Sequence, residues 1–296
     1  MSTDTMTQTP DTFTTRYATP ADKVKAYMEE LDRKVESMDN DEDWLAYLSF
    51  VAKFHHYSLS NQLLILIQRP DATRVAGYRK WEEMGRHVRK GEHGISILAP
   101  RTAKVPDEER DESKPKYRVI GYTTVSVFDI AQTDGADIPT DGQTITEDAP
   151  EGLIDDLIGA IMARGFSVSY EAMSGGREGY TTTDDSKRVV VREGLNDGSR
   201  ARVLAHELGH IAAGHIERAE EYHTGHGGQR RQMEVEADSI SYVLLRANGM
   251  SAEVGGANAR YVAGWQGKDK ETVKQAAQNI SKAVKSLLDD GEWRNA

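Results

Sequence analysis

His206-Glu207-Leu208-Gly209-His210 is the stretch that most narrows what this chain can be. On an α-helix, histidines at i and i+4 lie about one turn, roughly 5.4 Å, apart on one face, so both imidazoles reach a single metal ion. Glu207 then projects beside the metal, positioned to take a proton from attacking water. That is hydrolase chemistry. The competing reading is an amphipathic helix whose histidines match by chance, and context decides between the two. A structural zinc site needs four closed ligands, usually with cysteine, and this chain of 296 residues has no cysteine.

A third ligand is still required. Glu234-Val235-Glu236-Ala237-Asp238 sits in an apolar-periodic segment that continues through Ile240, Val243 and Leu244 and predicts a second helix. Glu234 and Asp238 are i and i+4, so one carboxylate can bind the metal while the other accepts the second ring N–H of a ligand histidine, fixing its tautomer. Glu236 lies about 200° from Glu234 on a helical wheel and ranks below it as a ligand. The metzincin pattern needs glycine and histidine three and six residues beyond the second motif histidine, and Gly214 and His215 are out of that frame. His215 is therefore read as the polar end of the helix, where a partly charged imidazole suits the C-terminal dipole. His223 and His226 belong to a Gly-rich polar stretch that reads as a solvated loop. A histidine–histidine–carboxylate set suits one Zn2+ per chain, and Mn2+ or Co2+ can use the same donors.

The length allows two domains with cores of their own. Without cysteine there are neither disulfides nor thiol catalysis, and no stretch approaches the apolar length of a membrane span. The N-terminus is a polar tail with seven threonines in residues 1–18, expected to be disordered and unlike a signal peptide. These features fit a soluble, cytoplasmic protein. The formal charge of −11 opposes wrapping duplex DNA over a large surface, but a local basic groove remains compatible with it.

Such a groove is legible between Arg74 and Lys104, where eight basic residues face only three acidic ones. Arg79, Lys80, Arg86, Arg89 and Lys90 cluster there, with Tyr78 and Trp81 interleaved and Phe54 to Tyr57 just upstream. Positive charge along a backbone, with aromatic faces for stacking, is what single-stranded nucleic acid requires. The alternative is a solvated charged face with Trp81 and Tyr78 in the core, and these residues alone favour it slightly.

Several ordered motifs change that weighting. Tyr57-Ser58-Leu59-Ser60-Asn61, Val75 to Trp81, Gly85 to Ile97 with its Lys90-Gly91-Glu92-His93-Gly94 centre, and Val127-Phe128-Asp129-Ile130-Ala131-Gln132-Thr133-Asp134-Gly135 together closely resemble the N-terminal domain of ArdC-like antirestriction proteins. The second half resembles the metallopeptidase domain of that family, related to the ImmA/IrrE peptidases, and Tyr261 to Trp265 fits its C-terminal pattern. The resemblance covers most of the chain after residue 20. It implies a domain binding single-stranded DNA, with Tyr57 and Asn61 added to the basic and aromatic residues above, followed by a zincin-type domain. By position it makes His206, His210 and Glu234 the metal ligands, Glu207 the catalytic carboxylate and Asp238 the partner of a ligand histidine.

The elements follow the same division. Thr19 and Pro20 read as N-cap and first helical position, with Val24, Tyr27, Leu31 and Val35 as one apolar stripe. Helices are expected around Trp44 to Phe54 and after Ser58, with strands at Ile95 to Ala99, Tyr117 to Thr124 and Val125 to Phe128 and a charged loop from Pro106 to Pro115. Thr133 to Pro150 is polar and acidic. The expected layout is a tail over 1–18, a DNA-binding domain over 19–135, a linker over 136–150 and a zincin-like domain over 151–296. In the last, a helix ending at Gly165 precedes a small antiparallel sheet, Phe166 to Tyr170, Gly179 to Thr183 and Lys187 to Arg192, and Ser199 caps the metal helix.

The fold class is thus α+β in two domains, an N-terminal mixed helix and antiparallel-sheet domain and a C-terminal zincin-like metallopeptidase domain. The resemblance implies an origin on a plasmid, other mobile element or phage, and protection of incoming DNA from host restriction. Two function classes stay open, and the first is slightly favoured because nothing in the sequence names a protein substrate. One is a DNA-binding shield that needs no turnover. The other is a DNA-dependent zinc metalloprotease whose partner is a host protein or restriction enzyme.

Overall fold

A computed structural model describes residues 12–38, 41–104, 117–137, 147–220, 229–250 and 270–289. The polar loop from Pro106, the histidines at 223 and 226 and the Tyr261 to Trp265 segment lie outside the described residues, as does most of the threonine-rich tail. The chain divides into two compact units that are not consecutive halves: one holds Met1–Ser37 and Leu63–Ile138, the other Met38–Gln62 and Pro139–Ala296. Residues 38–62, assigned by the sequence to the 19–135 domain, therefore group with the metal-motif unit.

In the first unit, α1 (Pro20–Glu36) starts at a capping box in which the Thr19 hydroxyl accepts from the Asp22 amide and the Asp22 carboxylate accepts from the Thr19 amide. Its Tyr27, Leu31 and Val35 are buried, as the apolar stripe requires. β1 (Val75–Gly77) leads into a short helix, Tyr78–Glu83, then β2 (Arg86–Val88), β3 (Ile95–Lys104), β4 (Tyr117–Asp129) and β5 (Thr133–Gly135). β1, β4 and β3 form an antiparallel sheet in that order, and β2 pairs antiparallel with β5. Where the sequence suggests two strands, β4 is one continuous strand of 13 residues. Pairing with β3 is unbroken across Thr124 and Val125, and the one register shift is a bulge opposite Arg101 and Thr102.

A buried polar knot closes this unit. Asp129 is 1% exposed, and its carboxylate accepts from the backbone amides of Thr73, Arg74 and Ala131. Gln132 accepts from the Asp129 amide and donates to the His93 carbonyl and the Glu92 carboxylate. Gly94 is required because a Cβ there would come within 2.7 Å of the Ser126 Cβ. The Gly-Glu-His-Gly and Phe-Asp-Ile-Ala-Gln stretches are thus largely structural, holding β2, β3 and β5 in register.

In the second unit, α2 (Asp41–Phe54) packs on the helix that carries Glu234, with Trp44 Nε1 donating to Ser239 Oγ at 3.1 Å and Ser49 Oγ 2.7 Å from the Tyr242 hydroxyl. These bonds give the physical reason for the grouping of residues 38–62. α3 (Leu59–Gln68) follows, its residues from Leu63 onward grouping with the first unit; counting Tyr78–Glu83 as α4, the later helices are α5 (Leu153–Ala163), α6 (Asp197–Ala212), α7 (Arg230–Ala247) and α8 (Lys270–Asp289). The sheet runs β6 (Ser167–Glu171), β8 (Arg188–Arg192), β7 (Gly179–Thr181) across, with β7 antiparallel to β8. It is mixed rather than antiparallel throughout, because β6 reaches β8 in parallel. Val189, Val190 and Val191 are all fully buried, as befits a central strand covered on both faces. No helix among the described residues is long and apolar enough to cross a membrane.

Candidate metal centre

The geometry begins with α6. Its N-cap is Asn196, whose side chain accepts from the Ser199 amide at 2.8 Å, so the cap lies three residues before the expected serine. α6 and α7 are in close contact where Gly209 faces Ala237: a Cβ on Gly209 would lie 2.8 Å from the Ala237 carbonyl oxygen and 3.0 Å from its Cα. Glycine inside the motif is therefore a contact point between helices. It allows the face of α6 carrying His206 and His210 to meet the face of α7 carrying Glu234 and Asp238.

His206 Nε2 and His210 Nε2 are 3.1 Å apart. Glu234 sets one carboxylate oxygen 3.7 Å from the first and the other 3.8 Å from the second. Donor atoms of these three residues all lie within 4.8 Å of one another, the one such cluster among the described residues. Tetrahedral zinc with bonds of about 2 Å separates its donors by roughly 3.3 Å, so two imidazoles and a carboxylate at this spacing fit a divalent ion. His206 Nδ1 is 2.8 Å from Asp238 Oδ1, the bond that orients the ring.

Charge distribution follows from burial. Burial pushes His206 down, but its hydrogen bond to Asp238 and the charges of Glu207, Asp238 and Glu234 outweigh it and hold the imidazole pKa at about 9. Burial, with His206 and His215 alongside, pushes His210 down to about 2. A protonated His206 can then donate Nε2–H into the bare Nε2 of His210, and a cation competes for that same lone pair. Glu207 is 7% exposed and is raised above the usual carboxylate range by burial, against the opposing pull of His206 and of the Thr181 hydroxyl, which donates to Oε2 at 2.7 Å.

Thr181 belongs to β7, an edge of the sheet that lies against α6. A Cβ at Gly179 would come within 2.4 Å of Val203 Cγ1, so strand and helix touch there. A cleft of about 410 Å³ opens over the site, lined by Arg177, Tyr180 and Thr181 on one side and by the two motif histidines, Glu207 and Glu234 on the other. Arg177 stacks over the Tyr180 ring at 4.4 Å.

His215 departs from the sequence reading, and Glu236, ranked there below Glu234 as a ligand, faces it. His215 is buried at 3% exposure rather than forming a polar helix end, with its Nδ1 3.0 Å from His210 Nδ1 and its Nε2 3.0 Å from Glu236 Oε2. The cause is a helix stop: Gly214 has φ +71, its amide donates to the Ile211 carbonyl and the His215 amide to the His210 carbonyl. This Schellman turn folds the chain back so that His215 meets the ring of the residue it caps. The glycine four residues past the second motif histidine was the available signal.

The proposed DNA-binding residues separate into groups. Trp81 is fully buried with Nε1 donating to the Phe128 carbonyl at 2.9 Å, so it is core and offers no ring face for stacking. Arg86 is tied to β5, donating to Thr133 Oγ1, the Thr133 carbonyl and the Ala136 carbonyl, and Arg89 to Glu92, Asp134 and the Ala131 carbonyl. Both guanidiniums serve local structure. Arg79 and Lys90 are exposed, as is Lys80 beside Glu83. Tyr57 and Asn61 are half-buried and belong to the segment that groups with the second unit. Sequence reasoning passed over Tyr117, Tyr122 and Arg118 on β4, which are exposed together with Tyr78. Their signal is a strand whose distal half carries aromatic and β-branched residues on both faces.

Fold and site together define a two-unit protein that pairs a small antiparallel-sheet domain with a metallopeptidase-type domain. Residues 16–128 match the N-terminal domain of the anti-restriction factor ArdC, and residues 161–253 match the IrrE N-terminal-like domain of the M78 peptidases. These two domains, in this order, make the chain ArdC-like. Its fold is that of the antirestriction ArdC protein from the R388 plasmid. The metal-free crystal structure of that protein aligns with TM-score 0.50 and 20% identity over 80% of this chain and 85% of its own. The Mn(II)-bound one aligns with TM-score 0.51 and 18% identity over 91% and 99%. An uncharacterised pXO2-81 protein of Bacillus anthracis is 24% identical over 94% of this chain. The chain spans 54% of that relative's length.

Proposed function

We propose that this protein protects DNA entering a cell from restriction, binding single strands through its first unit and hydrolysing a peptide bond at a zinc centre in its second. The observation that carries the hydrolytic part is the buried Glu207 carboxylate, held by Thr181 beside His206, His210 and Glu234. A site kept only for stability or partner binding has no use for that acid. When bound, the divalent ion polarises the scissile carbonyl and lowers the pKa of the attacking water. Glu207 takes that water's proton and later returns it to the leaving amine, a role favoured by its raised affinity for a proton. Thr181 fixes which Glu207 oxygen faces the reaction. The edge of β7 away from β8, unpaired among the described residues, can take an extended peptide by backbone pairing, and Arg177 at the cleft rim favours an acidic residue in it.

For the nucleic acid, Arg79, Lys80 and Lys90 supply charge, and Tyr78, Tyr117 and Tyr122 supply faces on which bases stack. The same R388 relative was crystallised with Mn(II), which supports a divalent ion here; zinc is our choice from the donor set.

Glu207→Gln tests the reading. It keeps the shape and the metal ligands but cannot accept the proton, so metal content and DNA binding stay at wild-type levels. Protection of transferred DNA in a restricting host is expected to collapse, hydrolysis falling roughly 10²–10⁴-fold with the loss of the base. Undiminished protection by Glu207→Gln would show that binding alone shields the DNA.

A further inference from the structure

We propose that His215 and Glu236 are positioning residues that set the tautomer of His210, leaving its Nε2 unprotonated for the metal. The inference rests on the reading of His206, His210 and Glu234 as the ligand set. Neither residue is placed to touch an ion bound by that set; both act through His210.

The argument is one of donors and acceptors. Glu236 is 1% exposed and receives three side chains: Gln232 Nε2 at 2.9 Å on one oxygen, and His215 Nε2 at 3.0 Å with Asn279 Nδ2 at 3.4 Å on the other. The two amides are donors, and an ionised carboxylate only accepts, so the His215 nitrogen facing it carries the hydrogen. In the neutral imidazole, Nδ1 of His215 is then bare. It lies 3.0 Å from His210 Nδ1, and a bond between two ring nitrogens needs one hydrogen, which His210 must supply. With Nδ1 protonated, the neutral His210 ring keeps the lone pair on Nε2, the atom 3.1 Å from His206 Nε2. The order of hydrogens is therefore dictated from Glu236 outward. His206 receives the equivalent instruction directly from Asp238, whereas His210 receives it through a second imidazole.

The placement is built into three elements. The Schellman turn at Gly214 brings His215 onto His210, α7 offers Glu236 from the face that also carries Gln232, and α8 closes the chain with Asn279. The opposite projection of Glu236 and Glu234 on α7 is then functional: one carboxylate faces the ion, the other the back of its histidine ligand.

The test uses the full-length protein, zinc and a competing chromogenic chelator, with apo-protein melting followed in parallel. Glu236→Leu should weaken zinc binding about 10–100-fold, the usual effect of losing a partner behind a metal ligand. Glu236→Gln retains an acceptor for His215 Nε2–H and should stay within about fivefold of wild type, a difference from Glu236→Leu that simple loss of packing would not produce. Nitrogen-15 imidazole spectra of the metal-free wild type, which need no variant to fold, should show hydrogen on Nδ1 of His210 and on Nε2 of His215. Unchanged zinc affinity in Glu236→Leu, equal losses in both variants, or hydrogen on His210 Nε2 but not on its Nδ1 would each overturn the proposal. If His206→Ala instead leaves zinc binding as it is in the wild type, the ligand reading itself falls, a result distinct from all three.

Discussion

Charged side chains in this protein divide by what they hold. Arg86 spends its guanidinium on Thr133 and Ala136, stitching β2 to β5, while Arg79 and Lys80 lie exposed on α4. Substitution should therefore separate stability from binding. Arg86→Ala removes charge-assisted hydrogen bonds and should lower stability by about 1–3 kcal/mol, read as a lower denaturation midpoint. Arg79→Ala with Lys80→Ala should leave that midpoint within about 0.5 kcal/mol and weaken single-strand binding, with a shallower dependence on salt because fewer counterions are released. Equal effects of the two sets on binding, or an unchanged midpoint for Arg86→Ala, would contradict this division. In the sequence, Arg86, Arg79 and Trp81 look alike as members of one basic and aromatic cluster. What separates them is long-range pairing with residues 128–136, which charge patterning does not report.

At the scale of elements, the site depends on how α6 and α7 cross. Gly209 lies where the Ala237 backbone passes, so a methyl group there has no room. Gly209→Ala should force the helices apart, costing about 1–3 kcal/mol as an overpacked core position and moving Glu234 and Asp238 away from the histidines. Its zinc affinity should fall even though every ligand is still present. Wild-type zinc affinity in a folded Gly209→Ala would show that the crossing does not set the ligand geometry. Both helices were legible because i, i+3, i+4 periodicity marks them, and the i, i+4 spacing marked Glu234 and Asp238. His215 was less legible, since its burial comes from a left-handed turn at Gly214 rather than from helical spacing. The direction of β6 was also hidden: period-two alternation identifies a strand but says nothing of whether its partner runs parallel.

For the whole molecule, the ArdC-like order of the motifs gave the two-unit plan, while residues 38–62 show where linear reading stops. α2 looks like any amphipathic helix, and only Trp44 on Ser239 and Ser49 near Tyr242 reveal that it packs on α7. Those contacts span nearly two hundred positions, beyond the reach of local pattern. The function drawn from this plan stands on one claim, that His206, His210 and Glu234 hold a metal ion. Elemental analysis of the purified full-length protein, after removal of loosely bound ions, tests it most directly. The account predicts about one divalent ion per chain, zinc foremost, and loss of most of it in His206→Ala/His210→Ala, since three-ligand sites rarely survive such a loss. Equal metal content in the wild type and in that double variant would contradict it.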